Sequence, residues 1–352
     1  MAFCKRVFVY EFVSGGGCET GDAPPDIDQL IPLGLHMRDA LAADLASLDG
    51  LEISCATRAH AGPRHRDHAL PGVSYVAPRA GEAAAEFVAR QSRLHDAVLL
   101  VAPETGDVLA SLAEAVGEAH WAGCAPAVIR RVSDKRALAR GLMRQGIPAT
   151  VGWLAGEAID AATLNATAAR FVVKPNDGAG ALDTRVHADL AAARADLAAR
   201  TGRATLEAWV EGEPISLSLL CTDAGTELLA VNRQRIAIAA DGALGFDSVE
   251  IDAIPLDSPA GRACAALAAR IAAALPGLFG FVGIDAVLTP DGVPVVIEVN
   301  PRFTCAYAGM SRLLHRNLAA DILRAHARRR SPLADRAEQA EDELEFAGPR
   351  HD

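Results

Sequence analysis

Asp285, Glu298 and Asn300 stand thirteen and two residues apart in the stretch GFVGIDAVLTPDGVPVVIEVNPRF, 280–303. The apolar run before Glu298 suits a buried strand, yet it ends in a carboxylate, an amide and Arg302. TPDG, 289–292, reads as a hairpin turn, so Asp285 on the outgoing strand returns close to the other two. Glu298 and Asn300 lie two apart and share one face of the returning strand. Carboxylates beside apolar neighbours are costly unless they are used. Two of them with an amide suit Mg²⁺, with Mn²⁺ as the other fit, since such a cation shares its shell with phosphate oxygens and water.

The cations follow the same logic. Of 34 basic residues only three are Lys, at 5, 135 and 174, so Lys135 and Lys174 call for a specific explanation in an Arg-rich chain. Lys174 ends the strand-like run RFVVKP, and NDGAGALDTRVH after it is a turn joining two strands. Gly178 and Gly180 let backbone N–H groups approach a phosphate at which Lys174 aims a point charge. Further on, ATLEAWVEGEP has a strand ending at Glu207 and a linker whose backbone can meet the edge of an adenine, with Trp209 or Val210 beside the ring. Glu207, Glu211 and Glu213 are spaced for the amino group and the ribose hydroxyls, with Glu211 or Glu213 as the ribose contact. Arg302, with Arg233 or Arg235, offers a planar fork for a carboxylate and for a developing oxyanion. The segment after Arg302 turns into a helix near Met310 or Ser311, whose free N–H groups can hold a carboxylate.

Upstream, KRVFVYEFV, LEISCATRA and DAVLLVAPE read as short buried strands between the helical stretches GLHMRDALAADLASL and GEAAAEFVARQ. That rhythm predicts an open parallel sheet over residues 1–125, with ligands beyond the carboxyl ends of its strands. The loops there, SGGG at 14–17 and PETGD at 103–107, make Gly16 and Glu104 candidate substrate contacts, Glu104 for a cationic amine. Ser133 or Asp134 is positioned to cap a helix starting near Lys135 and ending at Gly146 and Pro148. The expected organisation is α/β and α+β: 1–125, then 126–205 with the phosphate loop, 206–330 with the cation site, and a mobile charged tail at 331–352.

Composition excludes several classes. With 352 residues, 51% hydrophobic, the chain can bury roughly three quarters of its unfolded surface without a staple. Seven Cys with no CxxC pair argue against a zinc site or a disulfide framework and fit a reducing cytosol. MAFCKRVFVYEFV is broken by Glu11 and lacks a small-residue cleavage site, so a first strand is expected rather than a leader. No apolar run of about twenty residues exists for a membrane span, and a net charge of −11 without a basic tract argues against nucleic acid. Ten His lack ligand spacing, and Ser216 and Ser218 have no paired His, so hydrolase chemistry is disfavoured.

Lys135, Lys174 with its glycine turn, the Glu207 linker, and Asp285 with Glu298-x-Asn300 occur in the order and spacing of the ATP-grasp superfamily, which the chain resembles over about residues 126–328. The resemblance implies a pre-ATP-grasp domain followed by two subdomains that clamp ATP and Mg²⁺. It implies Lys135 and Lys174 as phosphate contacts, and Gly178, Ala179 and Gly180 as the phosphate loop. Glu207 and Val210 would be adenine contacts, and Asp285, Glu298 and Asn300 metal ligands. A narrower resemblance rests on YEFVSGGG, APETGDVL and VNRQRI, which are similar to the tyramine–L-glutamate ligase family of methanofuran biosynthesis. It departs from that family at IPLGLHMRDAL, 31–41, where an acidic residue and an earlier Gly are expected. The implied partners are an amino acid and an amine, with a homodimer as the admissible assembly. Two other readings stand beside it: a different amino-acid ligase such as a D-alanine–D-alanine-like enzyme, and a nucleotide-binding regulator without catalysis. The intact acids and lysines speak against the regulator.

Overall fold

The computed structural model of the protein describes residues 4–18, 27–58, 69–158, 168–178 and 180–330. The expectations for Ala179 and for the tail from Ser331 to Asp352 lie outside those residues. Strands β1 (Arg6–Glu11), β2 (Glu52–Ala56), β3 (Val73–Val76) and β4 (Ala97–Val101) form a parallel sheet ordered β3-β2-β1-β4. β4 is buried along its whole length and β1 beyond Arg6, the pattern of parallel strands covered on both faces. Helices α1 (Ile27–Ala46), α2 (Ala84–Ser92) and α3 (Val108–Val116) accompany them. The sequence pattern misses β3, because this short edge strand is only half buried and carries no apolar run.

α4 (Pro126–Ser133) and α5 (Lys135–Arg144) follow, and Asp134 caps α5 by accepting from the Ala137 N–H at 2.9 Å. A small antiparallel sheet then holds β5 (Trp153–Leu154), β6 (Phe171–Pro175), β7 (Arg185–His187) and β8 (Ala204–Ala208), ordered β5-β8-β6-β7, with α6 (Leu190–Ala199) against it. Phe171, Val173, Leu190, Ala193, Leu197, Ala204 and Leu206 give this layer a core of its own. The largest sheet is antiparallel, in the order β11-β10-β9-β12-β13. Its strands are β9 (Glu213–Thr222), β10 (Gly225–Ile238), β11 (Leu244–Ile254), β12 (Gly280–Leu288) and β13 (Pro294–Asn300). α7 (Pro259–Ala274), α8 (Met310–Leu313) and the helical residues 318–330, here α9, complete the chain.

The chain is thus an N-terminal parallel-sheet domain followed by antiparallel-sheet subdomains, as the residue pattern predicts. The parallel and the large antiparallel sheet share both main cores. One joins Phe8, Tyr10 and Leu100 to Leu217, Val282 and Ile284; the other joins Val9 and Leu99 to Phe281, Phe303, Tyr307 and Ile322. The small sheet packs on its separate core, so it is mechanically the most independent layer.

Candidate active site

The hairpin β12–β13 builds the acidic end of the cleft. Thr289 to Gly292 close it, with the Gly292 N–H donating to the Thr289 carbonyl at 2.8 Å. Asp285 lies directly opposite Glu298, and Gly283 opposite Asn300. A bulge separates the pairs Asp285–Glu298 and Ala286–Val296, leaving Ile297 as the extra residue. This bulge decides which side Glu298 takes. Without it Val296 and Glu298 would share a face; with it Val296 enters the core beside Ala286, and Glu298 faces the cleft beside Asp285.

The cluster is held from several elements. Asn300 Nδ2 donates to Asp285 Oδ2 at 3.0 Å, and Gln234 Nε2, from β10, donates to Asp285 Oδ1 at 2.9 Å. Lys135 Nζ, at the start of α5, lies 3.2 Å from Glu298 Oε2 and also donates to the Gly178 carbonyl. Burial and the adjacent Glu298 charge push the Asp285 carboxyl well above the usual range. Glu298 goes the other way: burial raises its pKa, but Lys135 and Lys174 together hold the carboxyl low. Two carboxylates pressed together at such electrostatic cost are what a divalent cation would relieve. Among the described residues no group of three or more His, Cys, Asp or Glu could hold a metal ion. Two acids and one amide are a donor set suited to a hard cation that takes its remaining oxygens from phosphate and water.

The adjoining face carries the second lysine. Lys174 Nζ lies 2.9 Å from Glu207 Oε2, and Thr205 Oγ1 donates to Glu207 Oε1 at 3.2 Å. Lys174 and Glu207 are both buried on the neighbouring strands β6 and β8. The loop after β6 bends through the left-handed residues Gly180 (φ 68), Ala181 (φ 60) and Asp183 (φ 53). Asn176 fastens it to α5, accepting from the Arg136 N–H at 3.1 Å and donating to Asp134 at 3.0 Å. Trp209 lies in the linker after β8 with its ring under the Arg170 guanidinium, 4.6 Å from the centroid, and its backbone N–H donates to the Arg170 carbonyl. Val210 follows it, half buried.

Several expected contacts are placed differently. Arg233 pairs with Glu213 and, at 3.2 Å, with Glu250. It stands opposite Ile215, while Asp285 stands opposite Ser216, so Arg233 is on the other face of the sheet. Arg235 alternates with Gln234 and is exposed, so neither arginine reaches the acids. Glu213 is held by Arg233, and Glu211 by Arg170 at 3.0 Å. Ser311 lies in the single turn of α8 and donates to Asp44 of α1, where the Tyr307 hydroxyl also donates; this is a tie between elements rather than an open helix end. Gly16 (φ 90) is buried in a turn closed by hydrogen bonds to the Glu11 and Phe12 carbonyls. Glu104 meets Arg302 of the same protein, at 2.9 and 3.1 Å, in place of an external amine.

Gln234 is the residue that the sequence pattern overlooks. Strand alternation could have found it, since VNRQRI puts Asn232 and Gln234 on one face and the two arginines on the other. Asn232 completes that face by donating to Ser216 and Ser218.

The sequence matches the family described as "ATP-grasp domain" over residues 132–306 and that described as "pre ATP-grasp 3 domain" over residues 52–129. No curated protein matches it. Among solved structures, one of an ATP-grasp superfamily protein from Archaeoglobus fulgidus is similar, with TM-score 0.66, 20% identity, 90% of this chain covered and 87% of the other. An L-amino acid ligase from Bacillus licheniformis aligns with TM-score 0.62 and 16% identity over 93% of this chain and 75% of the other. A D-alanine–D-alanine ligase from Bacillus anthracis gives 0.61 and 16% over 93% and 99%.

Proposed function

The chain is an ATP-grasp superfamily protein, and from that premise we propose that it is an ATP-dependent carboxylate–amine ligase, joining the γ-carboxyl of L-glutamate to tyramine. ATP bound with Mg²⁺ would supply the γ-phosphoryl group that activates the carboxylate as an acyl phosphate, open to attack by the amine. The protein's part is positioning and charge neutralisation. Lys135 and Lys174 lie on the two sides of the cleft to neutralise phosphate oxygens, and the loop of Gly178, Ala179 and Gly180 offers backbone N–H groups. Asp285, Glu298 and Asn300 hold the cation, with Gln234 fixing the Asp285 carboxylate. Glu207, Trp209 and Val210 flank the nucleoside, and Arg302 receives the substrate carboxylate.

One observation carries the reading: Lys135 links the phosphate-loop carbonyl of Gly178 to Glu298, so nucleotide loop and cation site meet at one charged atom. The choice of glutamate and tyramine is supported by the resemblance of YEFVSGGG, APETGDVL and VNRQRI, which form the turn after β1, the loop after β4 and the middle of β10. A different amino-acid ligase is the second reading, favoured by the full-length likeness to the D-alanine–D-alanine ligase fold. The test is ADP release with ATP, Mg²⁺ and pairs drawn from amines and amino acids, with the product weighed by mass spectrometry. Tyramine with glutamate should give γ-glutamyltyramine; turnover with other pairs alone would shift the assignment to the second reading. Failure of every pair to release ADP would reject a ligase.

A further inference from the structure

Each cation of the cleft has a carboxylate of the protein against it: Lys174 has Glu207, Lys135 has Glu298, and Arg302 has Glu104. The third pair differs from the others. It spans the whole fold, from the loop after β4 to the end of β13, and it uses both oxygens of Glu104 on Nε and Nη2 of Arg302. Nη1 donates to the Phe303 carbonyl at 3.2 Å. The edge of the guanidinium that forms a two-point contact with a carboxylate is thus the edge Glu104 fills. Burial opposes the Arg302 charge, and Glu104 keeps it ionised.

The loop that carries Glu104 is held from outside. Gly106 (φ 62) takes the left-handed conformation freely, whereas Asp107 (φ 64) is a non-glycine residue there and is gripped by Arg130 at 2.8 Å. The residues just after Glu104 touch the phosphate loop. Thr105 Oγ1 donates to the Asp177 carbonyl at 3.0 Å, and the Gly106 N–H donates to Asp177 Oδ2 at 3.1 Å. Asp177 immediately precedes Gly178, whose carbonyl takes Lys135. Three consecutive residues therefore connect the carboxylate-binding arginine to the phosphate-binding loop.

We infer that Glu104 is an exchangeable counter-anion on Arg302: a substrate carboxylate takes its place on the fork, and the displaced loop transmits that event to the phosphate loop through Asp177. The inference rests on the ligase reading in giving Arg302 a carboxylate substrate. The exchange conserves charge, with one carboxylate leaving the guanidinium as another arrives. It makes Glu104 a positioning residue with an energetic cost to substrate, since only the fraction of molecules with a free fork is competent to bind. A pair that only cements two domains would have no such competition.

The test is calorimetric titration of L-glutamate, and separately of acetate as the minimal carboxylate, in Mg²⁺ and a non-hydrolysable ATP analogue. Glu104→Gln keeps shape and removes the competing charge, so both carboxylates should bind at least tenfold tighter than to the wild type. Arg302→Gln should abolish that gain when added to Glu104→Gln. Glu104→Gln should also release ADP from ATP, with water as the acceptor in place of a carboxylate, several-fold faster than the wild type, because the loop that holds Asp177 is no longer tethered to Arg302. Unchanged or weaker carboxylate binding in a Glu104→Gln protein with native circular dichroism overturns the inference, as does a gain that survives Arg302→Gln. If Glu104→Gln does not fold, Glu104→Asp retains the charge at shorter reach and should tighten binding by a smaller factor; no tightening there overturns the inference as well. Failure of every amine–acid pair to release ADP would reject the ligase reading, while acetate binding still decides the role of Glu104.

Discussion

At Glu298 two opposing influences meet, burial against its charge and Lys135 with Lys174 in favour of it. The lysines prevail, so the carboxylate is ionised and ready for a cation. Glu298→Gln preserves the shape and removes that charge. Turnover should fall by at least about a hundredfold, as when one preorganised electrostatic partner is lost, and half-maximal rate should need more Mg²⁺. ADP release measured across a Mg²⁺ titration checks both expectations. Lys174 gives a second residue-scale expectation. Its ammonium is enclosed with Glu207 on neighbouring strands, and a planar guanidinium is bulkier and differently shaped. Lys174→Arg should weaken ATP binding about tenfold, which is about 1.4 kcal/mol; wild-type affinity by calorimetry would remove Lys174 from the nucleotide site.

At the scale of elements, α9 is the strut between the two main sheets. Leu318, Ala319 and Ile322 are fully buried with Val9, Leu99 and Phe281. The same helix buries His326, whose pKa is lowered to about 4 by burial, with Arg330, Arg329 and His120 adding to the effect. A histidine in the unfolded chain titrates near 6.5. Between these values the unfolded state binds more protons, so stability is complete above about pH 6.5 and declines as pH falls towards 4. From pH 7 to pH 5 the loss attributable to His326 is about 2 kcal/mol. His326→Leu should remove most of that decline while leaving a well-packed helix. Urea unfolding of both proteins at the two pH values checks it, and parallel pH dependence in the two would assign the decline elsewhere.

On the scale of the whole molecule, the small sheet is joined to the rest by a strap. The tip of the β10–β11 hairpin lies along the edge strand β7: the Val186 N–H donates to the Gly242 carbonyl at 2.8 Å, and the Leu244 N–H to the Thr184 carbonyl at 2.9 Å. Gly242 is required there twice over. Its φ is 84, and a Cβ would stand 2.4 Å from the Val186 carbonyl oxygen. Gly242→Val should detach the strap and leave the two main cores intact. Amide exchange at Val186 and Leu244 should accelerate about tenfold or more, consistent with two hydrogen bonds worth about 1 kcal/mol each. Binding of an ATP analogue should weaken, and the main melting transition should stay in place. A lowered main transition would show that the strap belongs to the global folding unit.

Much of this protein is legible along the chain. Short apolar runs mark β1, β2, β4 and the β12–β13 hairpin, and the capping chemistry of Asp134 fixes where α5 begins. The rarity of Lys and the spacing of Asp285, Glu298 and Asn300 single out the residues that meet in the cleft, because those signals are local or span one hairpin. Other features depend on partners far away in sequence. The bulge at Ile297 turns Glu298 from the core to the cleft, and it exists only in the pairing of β12 with β13. The faces of Arg233 and Gln234 are settled by β9 and β12, and Ser311 is claimed by Asp44 from α1. The pairing of Glu104 with Arg302, 198 residues away, comes from packing the parallel sheet against the antiparallel one. Composition and periodicity report what a residue is and which local element it joins; which charge it faces is decided only when separate elements close on one another.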